Sequence, residues 1–209
     1  MDEGLTTAAL REGLRLIADK IEACSDELNR LDGQLGDGDL GVTMVRGVRG
    51  LVEELPNLPD DVGVALLKCA QVFTRVSGST YGTLLATGLM SVAKQTKGRT
   101  VVPWQRVSPL LGEAITAMSR RARSQLGDKT VLDAVEAARA ATEGLDEPGE
   151  MVEAADSAIA DALAQFRPRL SRQGRARIFG DKSIGLDDPG MVAFKRMVEG
   201  LRDSADQGA

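Results

Sequence analysis

The chain has 209 residues, of which 43% are hydrophobic and 27% are charged, and its formal net charge is −5. This composition is typical of a globular protein; no apolar run reaches the ~20 residues that span a bilayer, and the acidic balance argues against a general nucleic-acid binder. The sequence contains no histidine, which removes the commonest general base and the commonest transition-metal ligand. Any bound metal ion is therefore expected to have oxygen ligands.

The N-terminal segment MDEGLTTAAL carries acidic residues and no hydrophobic signal core, which favours a cytoplasmic protein. Cys24 and Cys69 lie in apolar-periodic segments without CxxC spacing, which predicts reduced, buried thiols rather than a disulfide or a zinc site. The length suits one domain with a continuous core, and this domain is predicted to comprise residues 1–209.

Apolar residues recur at steps of three and four along most of the chain, which predicts amphipathic helices. The first run covers residues 10–31 and predicts one continuous helix. A second run covers residues 44–55 and stops at Pro56, and a third begins after Asp60 and Asp61, which can cap it. The same spacing predicts further helices over residues 84–92, 104–118, 132–138, 151–166 and 191–201.

Strand-like patterns are confined to short pieces near residues 100–102 and 176–179, because period-two alternation and β-branched or aromatic residues are sparse. The chain is therefore predicted to be all-α, with about eight helices. The longest irregular segment, residues 171–189, exceeds the usual loop length and is rich in arginine and glycine. We call it the lid segment and expect it to cover a binding site.

Between the first two predicted helices, the stretch DGQLGDGDLG carries Asp32, Asp37 and Asp39. Its glycines allow a tight turn, so three carboxylates can converge where a helix C-terminus already carries partial negative charge. A divalent cation is the simplest compensation, and carboxylate oxygens suit Mg²⁺, which keeps positions for phosphate and water. The alternative is an ordinary helix–turn–helix in which these residues only form the turn.

A calcium loop of the EF-hand type does not fit the spacing of these aspartates. The twelfth position of such a loop needs a bidentate glutamate. Counting from Asp37 places Val48 at that position, and counting from Asp32 places Thr43 there.

Three other segments place small or acidic residues directly before a predicted helix: SGST at 77–80, GDKT at 127–130 and DDPG at 187–190. The free N–H groups of a helix N-terminus bind anions, although a single such junction is usually only a cap. Together with the aspartate loop and the arginine-rich lid segment, these junctions indicate a phosphate-binding site.

Three segments, in this order along the chain, resemble motifs of the nucleotide-binding L subunit of dihydroxyacetone kinase. The metal loop of that family is similar to LDGQLGDGDLGVTMVRG, its GDKTxxDA segment to LGDKTVLDA, and its GRASYxGERSxGxxDPGA segment to GRARIFGDKSIGLDDPGM. The resemblance covers nearly the whole chain. It implies a barrel of eight antiparallel amphipathic helices, with the nucleotide at one end under the loop between the last two helices.

The resemblance also implies a set of site residues. Asp32, Asp37 and Asp39 would hold two Mg²⁺ ions that bridge the phosphates of ADP or ATP, and Arg175, which would pair with a phosphate, completes the implied catalytic set. The implied nucleotide contacts are Leu40, Gly41, Val42, Thr43, Val76 and Ser77 at the phosphates, Ala122 and Val131 at the nucleoside, and Asp188, Pro189 and Gly190 in closure over the nucleotide.

The implied activity is that of a kinase subunit that passes phosphate to a short keto-sugar or polyol. In the family that substrate is held by a histidine of a separate K subunit, so this chain alone would be inactive. Two modes stay open: ATP exchanges as a substrate, or ADP stays bound and is recharged by a phosphocarrier of the sugar phosphotransferase system. No nucleic-acid or membrane partner is expected, and a homodimer is left open.

Several positions depart from the family pattern. Leu40 stands where much of the family has histidine, Arg75 and Val76 replace small residues, and Arg177 and Ile178 stand where serine and tyrosine are common. These departures support the alternative function, a catalytically silent nucleotide-binding protein that signals its occupancy to a partner.

Overall fold

The computed structural model describes residues 4–76 and 79–205, with side chains up to residue 202. Within these ranges nine α-helices account for most of the chain, so the all-α prediction is confirmed at that level. None of the described helices is both long enough and apolar enough to cross a bilayer. The helices are α1 (Thr7–Ala23), α2 (Ser25–Leu35), α3 (Leu40–Glu54), α4 (Val62–Val76), α5 (Thr80–Thr96), α6 (Val107–Ala122), α7 (Val131–Ala141), α8 (Pro148–Phe166) and α9 (Pro189–Ala205).

Two short strands, one near the start of the described chain and one near its middle, form an antiparallel pair. In this pair β1 (Leu5–Thr6) lies beside β2 (Val101–Val102), with Leu5 opposite Val102. The predicted strand piece near residues 100–102 is thus confirmed, although its partner carried no recognisable pattern. Three 3₁₀ helices cover Leu55–Asn57, Trp104–Arg106 and Arg175–Ser183.

The other predicted strand piece, residues 176–179, is wrong. It belongs to the 3₁₀ helix Arg175–Ser183, in which only Ala176 and Ser183 are buried. Gly180 interrupts the helix with φ 53° and ψ −131°. A lone strand needs a paired neighbour, and in the described part of the chain the β1–β2 pair is the only sheet.

The helices contact one another in an order that returns to its start. From α3 onward each helix contacts the next up to α9, α9 contacts α1, and α1 contacts α3. In addition, α2 lies against α3 and α9 and contacts the 3₁₀ helix Arg175–Ser183. The aspartate loop between α2 and α3 therefore meets the lid segment between α8 and α9.

Apolar faces predicted from periodicity form the core. In its main cluster Ile21, Leu28, Met44, Val48 and Leu132 are each at most 1% exposed, and they join α1, α2, α3 and α7. Removing such side chains from water contributes roughly 25 cal/mol per Å² of apolar surface. This packing holds the loops at the helix ends in a fixed relation to one another.

The predicted continuous helix over residues 10–31 is in fact two helices. Cys24, with φ −105° and ψ 11°, separates α1 from α2. Beyond this break the carbonyl of Ser25 lies against Gly41 at the start of α3, where α2 packs closely on α3. Both halves keep the apolar spacing, which is why periodicity alone does not reveal it. Because α2 extends to Leu35, Asp32 lies in its last turn rather than after it.

Candidate functional site

Three carboxylates converge at the connection between α2 and α3, as the sequence predicts. Asp32 lies in the last turn of α2, Asp37 in the loop, and Asp39 directly before α3. One oxygen from each lies within 4.8 Å of the other two. Asp32 Oδ2 also accepts hydrogen bonds from the backbone N–H groups of Gly38 (2.8 Å) and Asp39 (3.1 Å), which fold the loop back onto α2.

The tight path of this loop depends on its glycines. Gly38 has a φ of +78°, in the left-handed region that side chains rarely adopt. Gly41 packs so closely on α2 that an added Cβ would lie 2.0 Å from the carbonyl oxygen of Ser25. Nearby, the side-chain oxygen of Asn29 accepts from the N–H of Val42 at 3.2 Å and so caps the start of α3.

Replacing Gly41 by alanine is expected to lower the free energy of unfolding by roughly 2–4 kcal/mol, because the methyl group overlaps a backbone oxygen that cannot rotate away. Gly149→Ala is the matched control, since a Cβ there meets nothing within 4 Å. Urea denaturation of both variants measures the difference. Equal stabilities for the two would show that α2 and α3 do not pack as closely as described.

Charge at the three aspartates is only partly compensated. Arg175 of the lid segment forms an ion pair with Asp37 and lowers the pKa of that carboxyl. The pKa of Asp39 is raised, first by burial and then by the negative charges of Asp37 and Asp32. A compact set of carboxylate oxygens with two exposed members suits a hard cation such as Mg²⁺.

A cleft of about 630 Å³ opens from the aspartates, within the size range of small-molecule sites. Its walls come from the aspartate loop and the starts of α3, α5, α7 and α9, together with the end of α6 and the lid segment. The predicted site residues that line it are Asp32, Asp37, Asp39, Leu40, Thr43, Val76, Ala122, Val131, Arg175, Asp188, Pro189 and Gly190.

Two of the predicted phosphate contacts do not line the cleft, and a third cannot be placed. Gly41 is buried against Ser25, and Val42 is 42% exposed with its N–H bonded to Asn29. Ser77 lies outside the described residues. The roles of the residues that do line the cleft stay predictions.

The three predicted helix junctions are true caps, and each also borders the cleft. Ser79 accepts from the N–H of Gly82 at 3.0 Å to cap α5, and Thr130 caps α7 together with Asp133. Asp188 Oδ1 accepts from the N–H of Met191 at 2.9 Å near the start of α9. The alternative in which these segments only cap helices is thus right about their local structure, while their position at the cleft also fits the predicted contact with a ligand.

Asp188 is the most perturbed acid of the cleft. Burial raises its pKa from 3.8 to about 7; the N–H of Met191 and the charge of Lys129 oppose that rise, while Asp133 adds to it. Close by, the hydroxyl of Tyr81 donates to the carbonyl of Gly190 at 3.1 Å and ties the start of α5 to that of α9.

Sequence reasoning missed several cleft residues. Arg46 lies one turn after Thr43 on α3, so helical spacing alone could have found it. Tyr81 and Gln173 also line the cleft. No spacing connects either of them to the aspartates, because they reach the cleft from distant parts of the chain.

Comparisons with known proteins identify relatives. Residues 34–203 match the DAK2 domain family. The ADP-binding subunit DhaL of the PEP-dependent dihydroxyacetone kinase of Escherichia coli is 31% identical over 183 residues, covering 85% of this chain and 87% of that subunit. The L-erythrulose 1-kinase of Mycolicibacterium smegmatis is 30% identical over 188 residues, covering 86% of this chain but only 33% of that enzyme.

A solved structure shows the same fold. The dihydroxyacetone kinase of C. freundii in complex with AMP-PNP and Mg²⁺ superposes with a TM-score of 0.74 at 21% identity, covering 94% of this chain and 34% of that one. The chain therefore corresponds to about a third of such longer kinases and to most of the length of a separate DhaL subunit. Since the family match extends over most of its residues, the chain belongs to the DAK2 domain family.

Proposed function

We propose that the chain is the nucleotide-binding subunit of a phosphotransferase of the dihydroxyacetone kinase type. The observation that carries this proposal is the convergence of Asp32, Asp37 and Asp39 at one end of a cleft that is bordered by the N-termini of four helices, α3, α5, α7 and α9. Carboxylates bind cations and helix N-termini bind anions, so together they suit a metal–polyphosphate complex. The ADP-binding name of the Escherichia coli relative points to the same ligand.

The three aspartates would hold two Mg²⁺ ions on ADP or ATP. When bound, these ions neutralise the negative charge on the transferring phosphoryl group. Asp32 is held in place by the N–H groups of Gly38 and Asp39, whereas Asp37 and Asp39 are exposed towards the cleft. One fixed and two accessible carboxylates would supply the oxygen ligands that such ions require.

Arg175 would act beside the metal site. Its side chain is 57% exposed and already reaches Asp37, so the guanidinium lies where phosphate oxygens would meet the aspartates. A guanidinium donates to phosphate with two N–H groups and keeps its charge at any physiological pH. We assign it to the stabilisation of charge on the phosphates.

The nucleoside would lie further along the cleft, against Ala122 and Val131, with Asp188, Pro189 and Gly190 closing over it. The cyclic order of helix contacts supports a barrel of eight antiparallel helices that carries this cleft at one end, with α2 as an additional helix beside α3. We propose that residues 1–209 form one such domain.

The acceptor substrate would be held by a separate K-type subunit. This chain has no histidine, and the L-subunit resemblance implies that a histidine of that partner binds the keto-sugar. The names of the relatives include dihydroxyacetone and L-erythrulose as substrates of those enzymes. Both phosphate sources, exchanging ATP and ADP recharged by a phosphocarrier, fit the same cleft.

A regulatory, catalytically silent protein is the second candidate function. Leu40 favours it, because this residue is 6% exposed and lines the cleft next to the aspartates, where its apolar side chain offers no hydrogen bond to a phosphate. Such a protein would bind the nucleotide without transferring phosphate.

Reconstitution separates these two functions. We expect phosphate transfer to dihydroxyacetone or L-erythrulose when the chain is mixed with a K-type subunit, supplied either with ATP or with PEP and the phosphocarrier proteins. The chain alone should transfer none. Tight nucleotide binding without transfer to either sugar, from either phosphate source, would instead establish the regulatory function.

A further inference from the structure

Lys129 of the GDKT segment occupies an unusual position for a lysine. It is 0% exposed, and its backbone has a φ of 62°, in the left-handed region that costs a residue with a side chain roughly 1–2 kcal/mol. Removing an ammonium group from water costs free energy, and Lys129 is not among the residues that line the cleft. Its burial therefore needs a structural reason.

The ammonium group binds both sides of the lid segment. Nζ donates to the carbonyls of Arg167 (3.2 Å) and Arg169 (2.8 Å), directly before the lid segment, and to the carbonyl of Ser183 (2.8 Å) in its second half. An ammonium has three donors, and these three carbonyls use all of them. None of the ion pairs among the described residues includes Lys129, so its direct contacts are backbone carbonyls, while its charge also acts at longer range on Asp188.

The connection between α6 and α7, which contains Lys129, also holds the first half of the lid segment. The carbonyl of Asp128 accepts from the N–H of Arg172 at 3.0 Å, and the side-chain amide of Gln173 donates to the carbonyl of Arg123 at 3.2 Å. Arg175 follows two residues after Gln173. The backbone that carries the cleft arginine therefore departs from a point fixed by the turn between α6 and α7.

The two halves of the lid segment are also joined to each other next to Lys129. The N–H of Ser171 donates to Ser183 Oγ at 2.9 Å, and Ser183 Oγ donates to the carbonyl of Gly180 at 2.8 Å. Ser171, Ser183 and Lys129 are all at most 1% exposed. The base of the lid segment is thus a small buried polar core with one cation at its centre.

We propose that Lys129 is a positioning residue that fixes the lid segment over the cleft and thereby sets where Arg175 meets the metal–phosphate end. This inference rests on the proposed function for its effect on nucleotide binding. Lys129 itself is not expected to contact the nucleotide, because it does not line the cleft. Lys129 acts through the backbone of the lid segment.

Hydrogen exchange of the nucleotide-free protein tests the positioning itself. Lys129→Met removes the ammonium donor that these three carbonyls share. The carbonyls of Arg167 and Ser183 keep the N–H groups of Gly185 and Leu186, but the link between the two ends of the lid segment through one cation is lost, so amides of the lid segment should exchange roughly tenfold faster or more. Leu66→Ala is the control, because it opens a cavity in α4 among Val62, Ala93 and Leu110, none of which lines the cleft. It should lower overall stability without selective exchange in the lid segment. Unchanged exchange in Lys129→Met would overturn the proposal.

A double-mutant cycle tests the route through Arg175. Lys129→Met should weaken binding of Mg²⁺–ADP by roughly 10- to 100-fold, and adding it to Arg175→Ala should change the affinity by no more than about twofold. Additive losses would overturn the route. Should Lys129→Met not fold, Lys129→Gln keeps two N–H donors and should give intermediate exchange. Faster lid exchange in a protein that binds no nucleotide would contradict the proposed function while supporting the role of Lys129.

Discussion

Replacing Asp39 by asparagine is expected to abolish Mg²⁺-dependent nucleotide binding, with a loss of affinity of roughly 100-fold or more. Asparagine has the same shape but removes one of the three charges that a hard cation requires. Isothermal titration of the variant with ADP in the presence of Mg²⁺ measures the loss. Asp161→Asn, at an exposed position on α8, makes the same change in net charge and should bind like the parent protein.

The same substitution should not destabilise the metal-free protein. Asp39 directly precedes α3, but its side chain makes no capping hydrogen bond there, and its pKa is raised first by burial and then by the negative charges of Asp37 and Asp32. Removing its charge relieves that repulsion. Asp39→Asn should therefore unfold at a urea concentration equal to or above that of the parent. A variant that loses both binding and stability would indicate a structural role for the carboxylate.

Asp188 should make the stability of the protein depend on pH. Its folded-state pKa is raised from 3.8 to about 7, so the carboxyl is protonated in both states at low pH. As the pH rises from about 4 to 7, the unfolded chain releases this proton while the folded chain retains it, and the folded state loses stability. The loss is complete above the folded pKa.

Asp188→Asn should remove this pH dependence, because asparagine is never ionised and still caps helices well. A pKa shift of this size corresponds to at most about 4 kcal/mol in the free energy of unfolding. Because part of Asp188 faces the cleft, we expect the pH-dependent loss to be roughly 2–4 kcal/mol. Urea denaturation of both metal-free proteins between pH 4 and pH 8 measures it. The free energy of unfolding of the variant, relative to that of the parent, should increase steadily up to pH 7. Parallel dependences of the two unfolding free energies on pH would mean that the carboxyl is ionised in the folded protein.

Apolar periodicity predicted where the helices lie but not all of their limits. The helix over residues 44–55 in fact begins at Leu40, because its first turn is held by Asn29 and packed on α2 through Gly41 rather than by an apolar face. The strand at Leu5–Thr6 likewise depends on a distant segment, because its partner is Val101–Val102. Such contacts leave no local spacing in the sequence.

Some residues of the candidate site were likewise predictable from local sequence, whereas others were not. The three aspartates occur within eight residues, so a tight turn was enough to predict their convergence. The arginine-rich lid segment and the DDPG junction were predicted from the residues themselves, but the particular roles of Arg175 and Asp188 came only from the resemblance to the L subunit. Tyr81 was missed, since its partner Gly190 is 109 positions away. The K-type partner, the phosphate source, a homodimer and a cytoplasmic location remain predictions.

The central claim is that the aspartate cluster and the cleft bind one metal–nucleotide complex. Calorimetric titration of the purified chain with ADP, in Mg²⁺ and again in excess EDTA, tests it most directly. We expect saturable binding of about one nucleotide per chain in Mg²⁺ and a loss of affinity of at least roughly 100-fold in EDTA. The absence of binding in Mg²⁺, or equal affinity in both buffers, would contradict the claim.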